Sequence, residues 1–246
     1  MYINDIHILE YLFVGILGLF VGQLIDWCNI RLEKYQRIIS KDFKNEYAKT
    51  FTPRYLLMTI TAILYIAVLF RYNGINIESI KYMILIPMLI NVFVIDIKSH
   101  IVPNRLTLTM LECGLIITFL QVIINTNIGI NTFVNNILGM AIGGISFLIL
   151  TFIGNMFTQK DTMGFGDVKL MTVLGLVLGK DNIIIVIILS FILATIIGLI
   201  NLLVLKIRKK ETSEYIAFGP YIAIASMIVI FVPFEFFINL LSIVVK

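Results

Sequence analysis

A chain of 246 residues that is 59% hydrophobic and only 14% charged, with a mean hydropathy of +1.00, has more apolar surface than a soluble domain of its size can hide. That excludes an ordinary soluble enzyme. The net charge of +4 arises in short loops beside apolar runs, which fits a basic surface facing anionic lipid and gives no reason to expect nucleic acid.

The runs come near the ~20 residues that a bilayer crossing takes. They predict about eight transmembrane helices, roughly 7–28, 54–71, 79–97, 105–124, 132–157, 165–179, 182–205 and 215–244. The fold class expected is all-α, a polytopic membrane helix bundle forming a single integral-membrane domain over 1–246. Met1 to Glu10 carry no Lys or Arg, so the first segment is expected to be a retained span, not a cleaved signal. Pro87 in the third segment, and Pro220 and Pro233 in the eighth, predict kinks. Gly139, Gly143 and Gly144 in the fifth segment and Gly175 and Gly179 in the sixth predict close helix packing. The sixth is the shortest and opens in a glycine-rich stretch, so partial unwinding is expected there.

Charge orients the bundle. Of the 19 Lys and Arg, 15 fall on one side and only Arg71, Lys81, Lys180 and Lys246 on the other. The positive-inside rule then puts the basic side, with a short loop at about 33–53, in the cytoplasm and both termini outside. Cys28 and Cys113 lack the paired spacing of a zinc site.

Two aspartates stand out in this frame. Asp96 ends the third segment, and Asp167 opens the sixth within Met163-Gly164-Phe165-Gly166-Asp167-Val168-Lys169. The predicted topology brings both to a similar depth at the cytoplasmic face. A carboxylate at the edge of hydrocarbon is costly without a partner or a water-filled cavity. Two carboxyl groups that meet there share a proton: one acts as general base toward a water and the other, protonated, polarises a carbonyl. Gly164 and Gly166 let backbone approach closely. Pro103 disfavours helix at Val102, so the loop after Asp96 should bend before Asn104.

These residues resemble a known family. Met163 to Leu170, with Gly164, Gly166, Asp167 and Lys169, resembles the Gly-x-Gly-Asp motif of the prepilin leader peptidases, which are membrane aspartic proteases. Asp96 followed by Ile101-Val102-Pro103-Asn104-Arg105-Leu106 resembles their first catalytic motif, and Ala217-Phe218-Gly219-Pro220-Tyr221 resembles the stretch that opens their last helix. Gly22 to Leu32 is similar, more loosely, to their first-helix pattern, with Gln23 and Asp26 at its Ser and Asn positions. The resemblance implies catalytic roles for Asp96 and Asp167 and supporting roles for the other motif residues. It implies an enzyme of the plasma (inner) membrane that cuts the short basic leader from type IV prepilins, pseudopilins or competence pilins after a glycine, at the cytoplasmic face. Many members also methylate the new terminus with S-adenosylmethionine. Larger members carry a four-cysteine zinc domain where this chain has only Glu33–Pro53 without cysteine, so no zinc is expected and methylation is left open, as is the oligomeric state.

Further polar residues are placed by segment. Glu10 and Glu235 lie toward the outer side and read as interfacial. Asp26 could contact the substrate, but a pairing with Arg31 is favoured. Glu112 lies mid-segment and needs a partner. Lys169 could bias Asp167 toward ionisation or snorkel to the headgroups. His100 reads as a solvated loop residue, and Asp161 could meet a basic leader. Two other readings compete: another Gly-x-Gly-Asp protease (preflagellin or presenilin-like), and a proton-coupled transporter. Ile95 before Asp96 departs from the presenilin Tyr-Asp pair, and no inverted repeat of the transporter kind is evident.

Overall fold

A bilayer leaves no water for unpaired backbone groups, so an apolar run that enters it must close its hydrogen bonds within itself as a helix. The computed structural model follows that rule closely. It describes residues 2–4, 6–34, 36, 47, 54–124, 129–158, 164–208 and 217–244. A two-stranded antiparallel hairpin, β1 (Tyr2–Ile3) with β2 (Ile6–His7), precedes α1 (Ile8–Glu33). Then come α2 (Tyr55–Arg71), α3 (Ile77–Ser99), α4 (Asn104–Ile124), α5 (Gly129–Thr158), α6 (Phe165–Leu178), α7 (Lys180–Arg208), α8 (Gly219–Phe231) and α9 (Phe234–Val244). Five of these, α1, α3, α4, α5 and α7, contain stretches long and apolar enough to cross a membrane. This is a multi-pass membrane protein with an all-α bundle.

The segments expected from the sequence recur as helices, with three differences. α6 is helical from Phe165 onward and is not unwound. Pro220 does not kink the last segment; it stands in the first turn of α8, where a proline's missing N–H costs nothing. Pro233 does more than kink: the chain breaks there, and α9 leaves at 104° to α8. Pro87 lies inside α3, which runs on as one helix. The basic loop at 33–53 lies almost entirely outside the described residues.

The chain divides into two compact units, Met1–Val94 and Ile95–Lys246, with the division falling inside α3. In the first, Gly15, Gly18 and Gly22 line one face of α1 against α2. A Cβ at Gly18 would stand 2.6 Å from the Ala62 Cα, and one at Gly22 the same distance from the Met58 Cα. Lipid gives no hydrophobic push between helices, so such close backbone approach is what holds them. The Tyr65 hydroxyl donates to the Met83 carbonyl at 2.6 Å and ties α2 to α3.

In the second unit α6 is the central element. Every residue from Leu170 to Leu178 except Thr172 is buried. The glycine pattern read from the sequence explains how: Gly139 of α5 and Gly175 of α6 meet backbone to backbone, and Gly143 lies on the Met171 carbonyl. From the other side, Gly114 of α4 receives the Val177 and Leu176 side chains. At its far end α6 stops at Gly179, whose φ of +82° suits only glycine, and the spot where a Cβ would sit is taken by the Asn135 amide. Nearby, buried Asn136 donates to the Thr118 hydroxyl at 3.1 Å.

Candidate active site

Each motif brings its aspartate to the same place by a local device. α3 ends just after Asp96 because His100 adopts a left-handed conformation (φ 52°) and its N–H returns to the Asp96 carbonyl at 3.0 Å. Pro103 then keeps the chain from resuming a helix before Asn104. The turn so formed packs on the start of α6: a Cβ at Gly166 would lie 3.1 Å from the Val102 Cβ. Gly164 is the N-cap of α6, and Asp167 lies in its first turn, with its N–H donating to the Gly164 carbonyl at 3.0 Å.

The two carboxyl groups are buried, Asp96 to 3% and Asp167 to 8% of full exposure. They are near enough for the Asp96 charge to act on Asp167. A third element closes the site. The Gly219 backbone amide, at the start of α8, donates toward the Asp96 carboxyl. A Cβ at Gly219 would stand 2.7 Å from the Asp96 Oδ2. That oxygen has no side-chain hydrogen-bond partner among the described residues. Phe218 is fixed just before it by rings of Phe147, Phe191 and Tyr221, with centroids 5.8, 5.2 and 6.2 Å away.

The structure thus gathers Asp96, Pro103, Asn104, Gly164, Gly166, Asp167, Lys169, Phe218, Gly219 and Pro220 in one unit. Lys169 neither acts on Asp167 through a hydrogen bond nor simply snorkels: its ammonium donates to the Asn104 Oδ1 at 2.9 Å and links α6 to α4. Asp26 pairs with Arg54 at 3.2 Å and not with Arg31, whose guanidinium lies 4.6 Å over the Trp27 ring. The Arg54 N–H also donates to the Gln23 Oε1, so the two polar positions of that α1 stretch serve the entry into α2. Glu112 is exposed on α4, with no partner among the described residues. Asp161 lies outside them. His100, read from the sequence as a solvated loop residue, is exposed, and it stands close enough for its charge to act on Asp96.

A helical membrane bundle that holds two buried aspartates together at the end of one helix and the start of another belongs to the class of proteins equipped for acid–base chemistry in the bilayer. The comparison with known proteins narrows the class. Residues 83–199, which include both aspartates, match the type IV leader peptidase family. It is similar to a prepilin leader peptidase/N-methyltransferase of Legionella pneumophila, 31% identical over 185 residues, which covers 74% of this chain and 60% of the relative. Similar proteins of that name occur in Pectobacterium carotovorum subsp. carotovorum (31% identity, 59% of this chain, 48% of the relative) and Xanthomonas campestris pv. campestris (28%, 72% and 58%). The chain therefore spans about half to three-fifths of the length of these curated relatives. No solved structure matches it.

Proposed function

We propose that this protein is a membrane aspartic endopeptidase that removes the short basic leader from prepilin-like proteins. The observation that carries this is the meeting of two buried carboxyl groups, Asp96 and Asp167, inside the region that matches the leader peptidase family. Water held between them loses a proton to the ionised carboxylate as its oxygen attacks the scissile carbonyl. The protonated partner donates a hydrogen bond to that carbonyl oxygen as charge develops on it. The tetrahedral intermediate then collapses, the C–N bond breaks, and the proton taken from water passes to the leaving nitrogen. No covalent intermediate and no metal enters these steps.

The Gly219 amide supports the negative charge on Asp96, and the Asp96 carboxylate accepts from the attacking water. The basic loops indicate that this site opens toward the cytoplasm from the plasma membrane. That orientation suits a substrate whose basic leader stays inside while its apolar helix lies in the bilayer. The relatives' name includes N-methyltransferase, so methylation of the new terminus with S-adenosylmethionine is a second activity to test.

The deciding experiment is co-expression with a candidate prepilin, followed by mass spectrometry of the pilin N-terminus with the wild type and with Asp167→Asn. A pilin trimmed after the glycine only with the wild type establishes the peptidase, and a further mass of one methylene establishes methylation. A pilin left whole by the wild type, across a panel of prepilins, defeats the proposal.

A further inference from the structure

α8 is too short to cross a bilayer. Its 13 residues rise about 20 Å at ~1.5 Å each, against a hydrocarbon core of ~30 Å. Its first residue lies against Asp96, so its last, Phe231, is the end remote from the aspartates. From there α9 departs at 104°, so where α8 runs along the membrane normal α9 lies close to the membrane plane.

The composition of α9 suits that position. Glu235, Asn239 and Ser242 recur at i, i+4 and i+7, all exposed, and form one polar stripe. Away from the stripe, Phe234 and Phe237 are half-buried against the protein. Phe236 and Leu240 remain 55% and 52% exposed on the apolar flank, an arrangement that water would penalise and lipid would not. A second marker of the same surface comes from α6. It too is short, 14 residues, and the chain that follows it exposes Lys180 and Asp181.

We propose that α9 lies along the membrane surface on the face opposite the aspartates, with the lipid interface as its partner. Glu235, Asn239 and Ser242 point to water, and Phe236 and Leu240 enter the acyl chains. Such helices bind through buried apolar area and rest at the headgroup boundary.

The test uses the whole protein in native membranes, with Cys28→Ser and Cys113→Ser as background. Single substitutions Glu235→Cys, Asn239→Cys, Ser242→Cys, Phe236→Cys and Leu240→Cys are exposed to a membrane-impermeant maleimide from each side. The expected result is labelling of positions 235, 239 and 242 at least tenfold faster than 236 and 240, from the face opposite the basic loops only. Equal rates at all five positions would put α9 in bulk water, and protection of all five would make it a re-entrant arm; either overturns the proposal. A second measurement needs no cysteine. With Trp27→Phe, a tryptophan placed by Phe236→Trp should be quenched in vesicles of brominated phosphatidylcholine, and failure of that quenching also overturns it.

Discussion

Gly219→Ala is the sharpest test of the site geometry. The added methyl would stand 2.7 Å from the Asp96 Oδ2, 3.1 Å from its Cγ and 3.3 Å from its Cβ, where ordinary contact begins at 3.4 Å. Neither side yields easily. Asp96 is held by the last turn of α3, and residue 219 is held by Pro220 behind it and the Phe218 ring cluster before it. The carboxyl must therefore retreat by about 0.7 Å, and displacement on the order of 1 Å at a reacting group costs up to ~100-fold in rate. Overpacking by one methyl adds about 1–3 kcal/mol of strain, part of which relaxes through that retreat. A fall of about 10–100-fold in kcat, or roughly 1.4–2.7 kcal/mol, is expected with KM for the prepilin nearly unchanged. The assay is the rate of leader removal from a purified prepilin by the detergent-solubilised enzyme. Gly164→Ala is the control: among the described residues its Cβ would meet nothing closer than 3.8 Å, and its φ of −70° and ψ of 139° suit alanine. It should cleave within about twofold of wild type, since no contact or conformation opposes it. A Gly219→Ala enzyme of normal rate, or a Gly164→Ala enzyme equally impaired, would refute the view that backbone contact with Asp96 sets the site.

Asp96→Asn and Asp167→Asn should each remove cleavage while the protein stays inserted and folded, because an amide can neither take the proton from water nor share one; normal cutting by either would end the dyad mechanism. Cleavage should be indifferent to EDTA, and a loss restored by added metal ion would contradict the mechanism. Lys169→Met removes a charged hydrogen bond at an exposed position, worth about 1 kcal/mol, so a roughly fivefold loss in kcat/KM is expected, with Lys169→Arg close to wild type. Equal rates for Met and Arg would show that the link to Asn104 does not bear on the site. Gly139→Leu forces a side chain into the backbone of Gly175, so the detergent-solubilised protein should melt at lower temperature, and an unchanged Tm would argue against the α5–α6 contact.

Helix positions were legible because membrane physics ties them to composition: the first seven apolar runs each recur as one helix, and the last recurs as two. The glycine spacing gave the α5–α6 contact for the same reason. The aspartates were legible as expensive residues at helix ends. What failed was the expected unwinding of α6 and the expected kink at Pro220, while the break at Pro233 held. Gly164 and Gly166 open a well-formed α6: Gly164 is its N-cap, and the smallness of Gly166 lets it pack under Val102. Pro220 begins a helix and Pro233 ends one, a distinction made by position in the turn that residue type alone does not reveal. The Asp26–Arg54 pair and the Gly219–Asp96 contact join residues distant in the chain, and no periodicity encodes which distant group a side chain will meet.

A proton-sharing pair works only if its separation holds to a fraction of an ångström, and lipid offers no hydrophobic force to press helices together. The arrangement of α6 answers both demands. Its backbone touches that of α5 at Gly175 and at Met171, one turn apart on one face, and Gly114 of α4 receives Val177 and Leu176 from another direction. Sliding α6 along its axis would drive a side chain into each of these contacts, so the register is fixed by exclusion, without any need for strong attraction. Asp167 lies one turn before Met171 on this fixed helix, while Asp96 is held from the other side by the α3 terminus and the Gly219 amide. In the proposed mechanism, the glycines that fix α6 hold Asp167 in place as much as the motif residues beside it do.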